Sequence, residues 1–133
     1  MTGEVSVPGF FRKREMLEGD RASKEDLSGV GRGLAAEGLL DEALLFFVKA
    51  EDGEGMADLL EEGRRRGDAF TFEAALRALG RTASQEEWSE VGEQAAAAGQ
   101  FRFAWRAFEK AGDKAGLEKV RLALAAEERP PVS

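Results

Sequence analysis

Residues 22–60 read ASKEDLSGVGRGLAAEGLLDEALLFFVKAEDGEGMADLL, and residues 83–121 read ASQEEWSEVGEQAAAAGQFRFAWRAFEKAGDKAGLEKVR. Laid over one another at a spacing of 61, the two stretches match at 15 of 39 positions without a gap. The identities include Ser23/Ser84, Ser28/Ser89, Gly31/Gly92, Gly38/Gly99, Phe47/Phe108, Asp52/Asp113 and Gly55/Gly116. Self-similarity on this scale marks a repeat architecture, in which each unit buries its apolar face only against its neighbours. Such folds offer extended surfaces more readily than enclosed active sites.

The repeated unit is helical. Ser23-Lys-Glu-Asp26 and Ser84-Gln-Glu-Glu87 are helix starts, and the second has the full capping-box pattern. Working outward, the apolar periodicity and the glycine breaks predict helices over 24–37, 40–50, 54–66, 69–79, 85–98, 101–111 and 116–127. A short helix over 10–18 precedes them. Expected core residues include Leu27, Val30, Leu34, Ala43, Phe47, Leu59, Phe72, Trp88, Val91, Ala104, Trp105, Phe108, Val120 and Leu124. The hairpin glycines fall at 38, 67 and 99, spacings of 29 and 32, so 61 spans two hairpins. The expected organisation is an N-terminal tail with a short helix (1–22), a helical repeat domain (23–128) and a disordered tail (129–133). The last helix is expected to close the array, with Glu118, Lys119, Arg121, Glu127 and Glu128 as its polar outer face.

Composition agrees and narrows the function. Ala, Leu, Glu, Arg and Lys are abundant and Tyr is absent, which favours helix. The net charge of −7 argues against nucleic acid or an anionic membrane as the main partner. Without Cys there is no disulfide framework or thiol chemistry, and without His the commonest general base and metal ligand are both missing. An enzyme would need paired carboxylates in a dry pocket, and no such pair stands out. No cofactor is expected. No apolar run approaches the ~20 residues of a membrane span, and a cytoplasmic location is expected.

In the third hairpin Trp88, Val91, Gly92, Ala95, Gly99, Ala104, Phe108 and Ala111 resemble, at their relative spacing, the signature of the tetratricopeptide repeat. In the first hairpin the same places hold Leu27, Val30, Gly31, Leu34, Gly38, Ala43, Phe47 and Ala50. The second hairpin is degenerate, and the units are shorter than the family's usual length. A looser helical-hairpin array of the clathrin or coatomer kind fits as well. The resemblance covers 23–127 and implies an all-α, right-handed superhelical array of three hairpins with a capping helix. Its first helices would line a concave groove.

Carried onto this chain, the groove is acidic in its middle: Glu54, Asp58 and Glu61 form one stripe and Glu86, Glu90 and Glu93 another, with Arg32 beside them. Such a surface suits a basic or amphipathic segment of a partner protein. The Lys, Asn and Arg positions with which some members of that family clamp carboxylate-ended tails carry Ser28, Arg32, Asp58, Glu86 and Glu90 here, so that function is not expected. Helix 40–50 offers a second face, because Leu45, Phe46 and Val48 are surplus to packing within the array. Either Phe10, Phe11 and Leu17 fold back over them or a partner does. Phe103 is a lesser outward-facing candidate. Arg64-Arg65-Arg66 suits a helix C-terminus, and Arg12-Lys13-Arg14 is weak evidence for a membrane surface. The expected function is a non-catalytic adaptor, a monomer or weak homodimer. The alternatives are a self-assembling structural subunit or a secretion-type chaperone.

Overall fold

The computed structural model describes residues 8–128. The terminal stretches expected to be irregular fall mainly at 1–7 and 129–133, outside the described residues. Among the described residues there are eight α-helices and no strand: α1 (Phe10–Glu18), α2 (Lys24–Ala36), α3 (Leu40–Lys49), α4 (Gly53–Arg66), α5 (Ala69–Leu79), α6 (Gln85–Ala97), α7 (Phe101–Ala111) and α8 (Lys114–Glu127). Five of the eight helices, α2, α4, α5, α6 and α8, start at a side-chain cap. The Ser23 hydroxyl accepts from the Asp26 N–H at 3.0 Å. Ser84 and Glu87 form the expected capping box, each side chain accepting from the other's N–H at 3.1 Å. Asp52, Asp68 and Asp113 cap α4, α5 and α8 in the same way.

Helices α2 and α3, α4 and α5, and α6 and α7 pair as hairpins, and the hairpins stack in chain order as two layers. One layer runs α2, α4, α6, α8 and the other α1, α3, α5, α7. The spacing of 61 carries α2 onto α6 and α4 onto α8 residue for residue. It also carries α1 into the span of α5, although only Phe11/Phe72 is identical there.

The conserved pattern within the chain has one physical centre. The buried Phe47 ring sits between Gly31 of α2 and Gly55 of α4; a Cβ at Gly31 would stand 2.7 Å from Phe47 Cε1, and one at Gly55 closer still. The buried Phe108 ring is held the same way between Gly92 of α6, where the distance would be 2.6 Å, and Gly116 of α8. Each ring thus touches two helix backbones of one layer from the other layer. Between the two clamps, Phe72 and Trp88 pack edge to face with centroids 4.9 Å apart. On the far layer Glu73 of α5 accepts from Arg106 of α7 at 3.0 and 2.9 Å, tying the second and third hairpins together.

Three expectations about packing are corrected. Phe46 is not surplus: it is 1% exposed, and its counterpart Ala107 is also core. Its ring lies under α1, whose Met16 is buried against the same cluster. Trp105 and Leu124, read as core, are 37% and 38% exposed. Phe103 does not face outward freely; it is half-buried and packs edge to face on Phe70 of α5, centroids 5.3 Å apart.

Helix α1 does fold back on α3, but through Met16 and Leu17 and not through Phe10 and Phe11, which stay exposed. Lys13 Nζ meets Glu42 at 2.8 Å. Lys49 Nζ donates to the Leu17 carbonyl at 2.6 Å and to that of Gly19. At the other end, α8 carries Arg121 and Leu124 where α4 carries Leu60 and Gly63. Gly63 admits the α5 backbone, with a Cβ there only 3.0 Å from Phe72 N. Arg121 and Leu124 are both exposed.

One residue departs from the repeat in type while keeping its backbone conformation. Glu51, which follows α3, has φ +54°, and its counterpart Gly112 has φ +65°. A non-glycine residue in this left-handed region is strained, and the Glu51–Lys24 ion pair at 3.3 Å is exposed and compensates little. Glu51→Gly is expected to raise stability by about 1 kcal/mol, read as a higher urea midpoint at unchanged slope.

Candidate functional site

The layer α2, α4, α6 presents two adjoining clefts. The larger, about 560 Å³, lies between α4 and α6 and is lined by Asp58, Glu61, Glu62, Arg64, Arg65, Glu90 and Gln94. The second, about 400 Å³, lies between α2 and α4 and includes Arg32, Asp58, Glu62 and Arg66. Asp58 and Glu62 belong to both, so the surface is continuous across three helices. Helical spacing explains the convergence: 58, 61, 62 and 65 recur every three or four residues on α4, as do 90 and 94 on α6.

Of the residues singled out from the sequence, Asp58, Glu61 and Glu90 come together in the larger cleft, and Arg32 joins Asp58 in the smaller. Glu54, Glu86 and Glu93 are exposed on the same helices but do not line either cleft. Sequence reasoning missed Glu62 and Gln94. Glu62 had a signal, since it stands three and four residues before Arg65 and Arg66.

The cleft is acid-rich but bridged by arginine. Arg64 of α4 crosses to α6, donating to Glu90 at 2.7 Å, and lies 3.8 Å from both Glu87 and Glu61. The hydrogen bond to Glu90 raises the Arg64 pKa above its ordinary value. Glu62 accepts from Arg65 and, at 2.6 Å, from Arg66. The bond from Arg65 is the main reason its carboxyl is held below the usual range. Arg64-Arg65-Arg66 therefore serves more than the α4 terminus: it neutralises part of the stripe. Asp58 makes no ion pair among the described residues and stands exposed where the two clefts meet.

Behind the surface, Asp52 fixes the start of α4. Its Oδ1 accepts from Gly55 N–H at 2.9 Å, while Oδ2 is buried with Arg32 Nη2 3.6 Å away. The Gly55 bond lowers the Asp52 pKa; burial opposes it, and Ser28 and Arg32 add to it. The counterpart Asp113 accepts from Gly116 N–H at 2.9 Å and from Ser89 Oγ at 3.0 Å. Because the folded pKa values of Asp52 and Glu62 are depressed, their stabilisation is present above the unfolded carboxyl pKa near 4 and is lost as pH falls through the folded values. Urea midpoints are therefore expected to be flat from neutral pH to about pH 5 and to fall below about pH 4. Asp52→Asn keeps a cap without a titrating group and should shallow that fall, whereas Asp52→Ala should cost about 1 kcal/mol at neutral pH.

Among the described residues no group of three or more His, Cys, Asp or Glu is placed to hold a metal ion, and no helix is long and apolar enough to cross a membrane. Compared with family models, with curated proteins and with solved structures, the chain matches none.

Proposed function

We propose that the protein is a non-catalytic interaction module that holds a basic or amphipathic segment of a partner protein across α2, α4 and α6. The observation that carries this reading is Asp58, a carboxylate with no ion pair among the described residues and shared by two adjoining clefts, with Glu61 and Glu90 beside it. A partner cation arriving at Asp58 needs no existing ion pair to break. A second cation can take Glu61 or Glu90 by displacing Arg64, whose side chain is part-buried while both acids are exposed. Complementary charge of this kind speeds encounter and selects partners more than it adds affinity. The stacked hairpins support a tetratricopeptide-like superhelix whose concave side these helices line. The missing His and Cys, and carboxylates on open faces, support binding over catalysis, in a cytoplasmic setting.

The test is fluorescence anisotropy with a labelled helical peptide carrying lysine and leucine at helical spacing. Two variants with the same charge change are compared: Asp58→Lys/Glu90→Lys in the cleft and Glu109→Lys/Glu118→Lys away from it. The cleft variant is expected to weaken binding by about tenfold or more, and added salt should do the same to the wild type. Equal loss in both variants would mean that net charge alone attracts the peptide and would refute the assignment of the site.

A further inference from the structure

The seam between α5 and α7, on the layer opposite the acidic clefts, runs against the charge of the chain. The two helices point the same way and meet in rungs 33 residues apart: Phe70 with Phe103, Glu73 with Arg106, and Arg77 level with Lys110. Three cations crowd the Glu73 carboxylate, Arg106 at 2.9 Å, Arg77 at 3.3 Å and Lys110 at 3.8 Å. Arg102, one turn before Arg106, is exposed and has no ion pair among the described residues. Glu109 acts on Arg106 from the flank of α7 turned away from α5. The caps Asp68 and Asp113 are turned inward, to Thr71 and to Gly116 and Ser89. Arg77, Arg102, Arg106 and Lys110 against Glu73 and Glu109 leave two positive charges uncompensated, on a chain of net charge −7. Toward the helix starts the seam is apolar, where Phe70 is 55% exposed and rests on the half-buried Phe103.

The fold does not require this set of residues. At the spacing of 61 the same rungs in the first half hold Gly9 with Glu42, Arg12 with Leu45, and Met16 with Lys49. Only the lysine is kept, whereas the glycines and phenylalanines of the buried clamps repeat. The bond from Arg106 to Glu73 already joins the hairpins, and Arg77 and Lys110 add cations to an acid that is already matched.

We infer that the seam is a second binding surface, whose occupant is an acidic segment of a partner protein with an apolar side chain over Phe70 and carboxylates at Arg77 and Lys110. Charge complementarity selects this occupant. The acids of α4 and α6 repel such a segment, so the two layers take partners of opposite charge. Glu109 keeps it to the side of α7 that faces α5. Phe70 and Arg77 are seven residues apart on one helix, a span of about 10 Å. An apolar residue and a carboxylate two helical turns apart, or about three residues apart in an extended segment, match that span.

The experiment is fluorescence anisotropy on the full chain with a labelled helical peptide carrying Phe in its first turn and two Glu residues two turns further on. The same peptide with Gln for both Glu is the comparison. The wild type is expected to bind the Glu peptide about tenfold or more tightly, a preference that shrinks in about 0.5 M salt. Arg77→Gln/Lys110→Gln should weaken the Glu peptide by about tenfold, and Lys114→Gln/Lys119→Gln, the same charge change on α8, by about twofold or less. Phe70→Ala should weaken both peptides by about fivefold. Arg106 is left in place because it ties the hairpins, and circular dichroism checks that each variant is folded. Equal affinity for the two peptides overturns the inference, and that comparison uses the wild type alone. So does an equal loss in the two double variants, or a single-stranded oligonucleotide that binds more tightly than the Glu peptide.

Discussion

Gly67→Ala is expected to destabilise the protein by about 3 kcal/mol, while the same change at Gly99 should cost only about 1 kcal/mol. Both glycines turn a hairpin with positive φ, +71° and +74°. Each alanine therefore meets the same conformational penalty. They differ in what lies beyond. A Cβ at Gly99 meets nothing within 4 Å, whereas one at Gly67 would stand 2.6 Å from Ala95 Cα and closer still to Ala95 N. Those atoms belong to the backbone of α6, so no rotamer change relieves the clash and the second and third hairpins must separate. The difference between the two variants, measured by urea denaturation, isolates the contact between hairpins from the cost of the turn. Equal losses would show that the hairpins are not pressed together at Gly67.

Phe108→Ala is the second large effect, about 3–5 kcal/mol, the usual cost of emptying a buried aromatic site. Its partner glycine makes the prediction sharper. Gly92→Ala alone drives a methyl into the Phe108 ring and should cost about 1–3 kcal/mol by overpacking. In the Phe108→Ala background the ring is gone, the methyl has room, and alanine is the better residue within a helix by about 1 kcal/mol. Gly92→Ala is then expected to change sign and stabilise. Such coupling between contacting residues is what a double-mutant cycle reads. Additive effects would mean that Phe108 and Gly92 do not share one packed space. Phe47 with Gly31 should behave alike.

Why these glycines and phenylalanines were visible in the sequence, and other residues not, has a physical answer. The clamp requires three elements at fixed spacing and is used twice, so it appears as a repeat at 61. Phe46 shows the opposite case. Reading α3 alone, its core side is Leu40, Ala43, Leu44 and Phe47, and Phe46 is left over. Its burial depends on α1, which lies 29 residues from α3 through the Lys13–Glu42 contact and shares almost no sequence with α5, the helix whose place it takes. Trp105 failed for a related reason: its counterpart Leu44 packs against the first core cluster, while Trp105 has no later helix of its layer beside it among the described residues. At the cleft, the acids of α4 and α6 were legible as stripes of helical period. That Arg64 would bridge them to Glu90 was not, because the bridge depends on how close α4 and α6 stand, and single-helix periodicity carries no such distance.

The bridge also refines what a partner must offer. Acids already paired with arginine attract a cation less than a bare stripe would, so selectivity rests on Asp58 and on the displacement of Arg64. A photo-crosslinking residue placed at Glu61, on the wall of the larger cleft, tests this in cells of the native source. Glu109, exposed on α7 in the other layer, is the control position. An adduct with a partner protein from position 61 and none from 109, mapped to a basic or amphipathic segment and abolished by Asp58→Lys, is the result predicted. No adduct from 61, the same adduct from both positions, or one mapped to an acidic segment would contradict the assignment of this cleft as the binding surface.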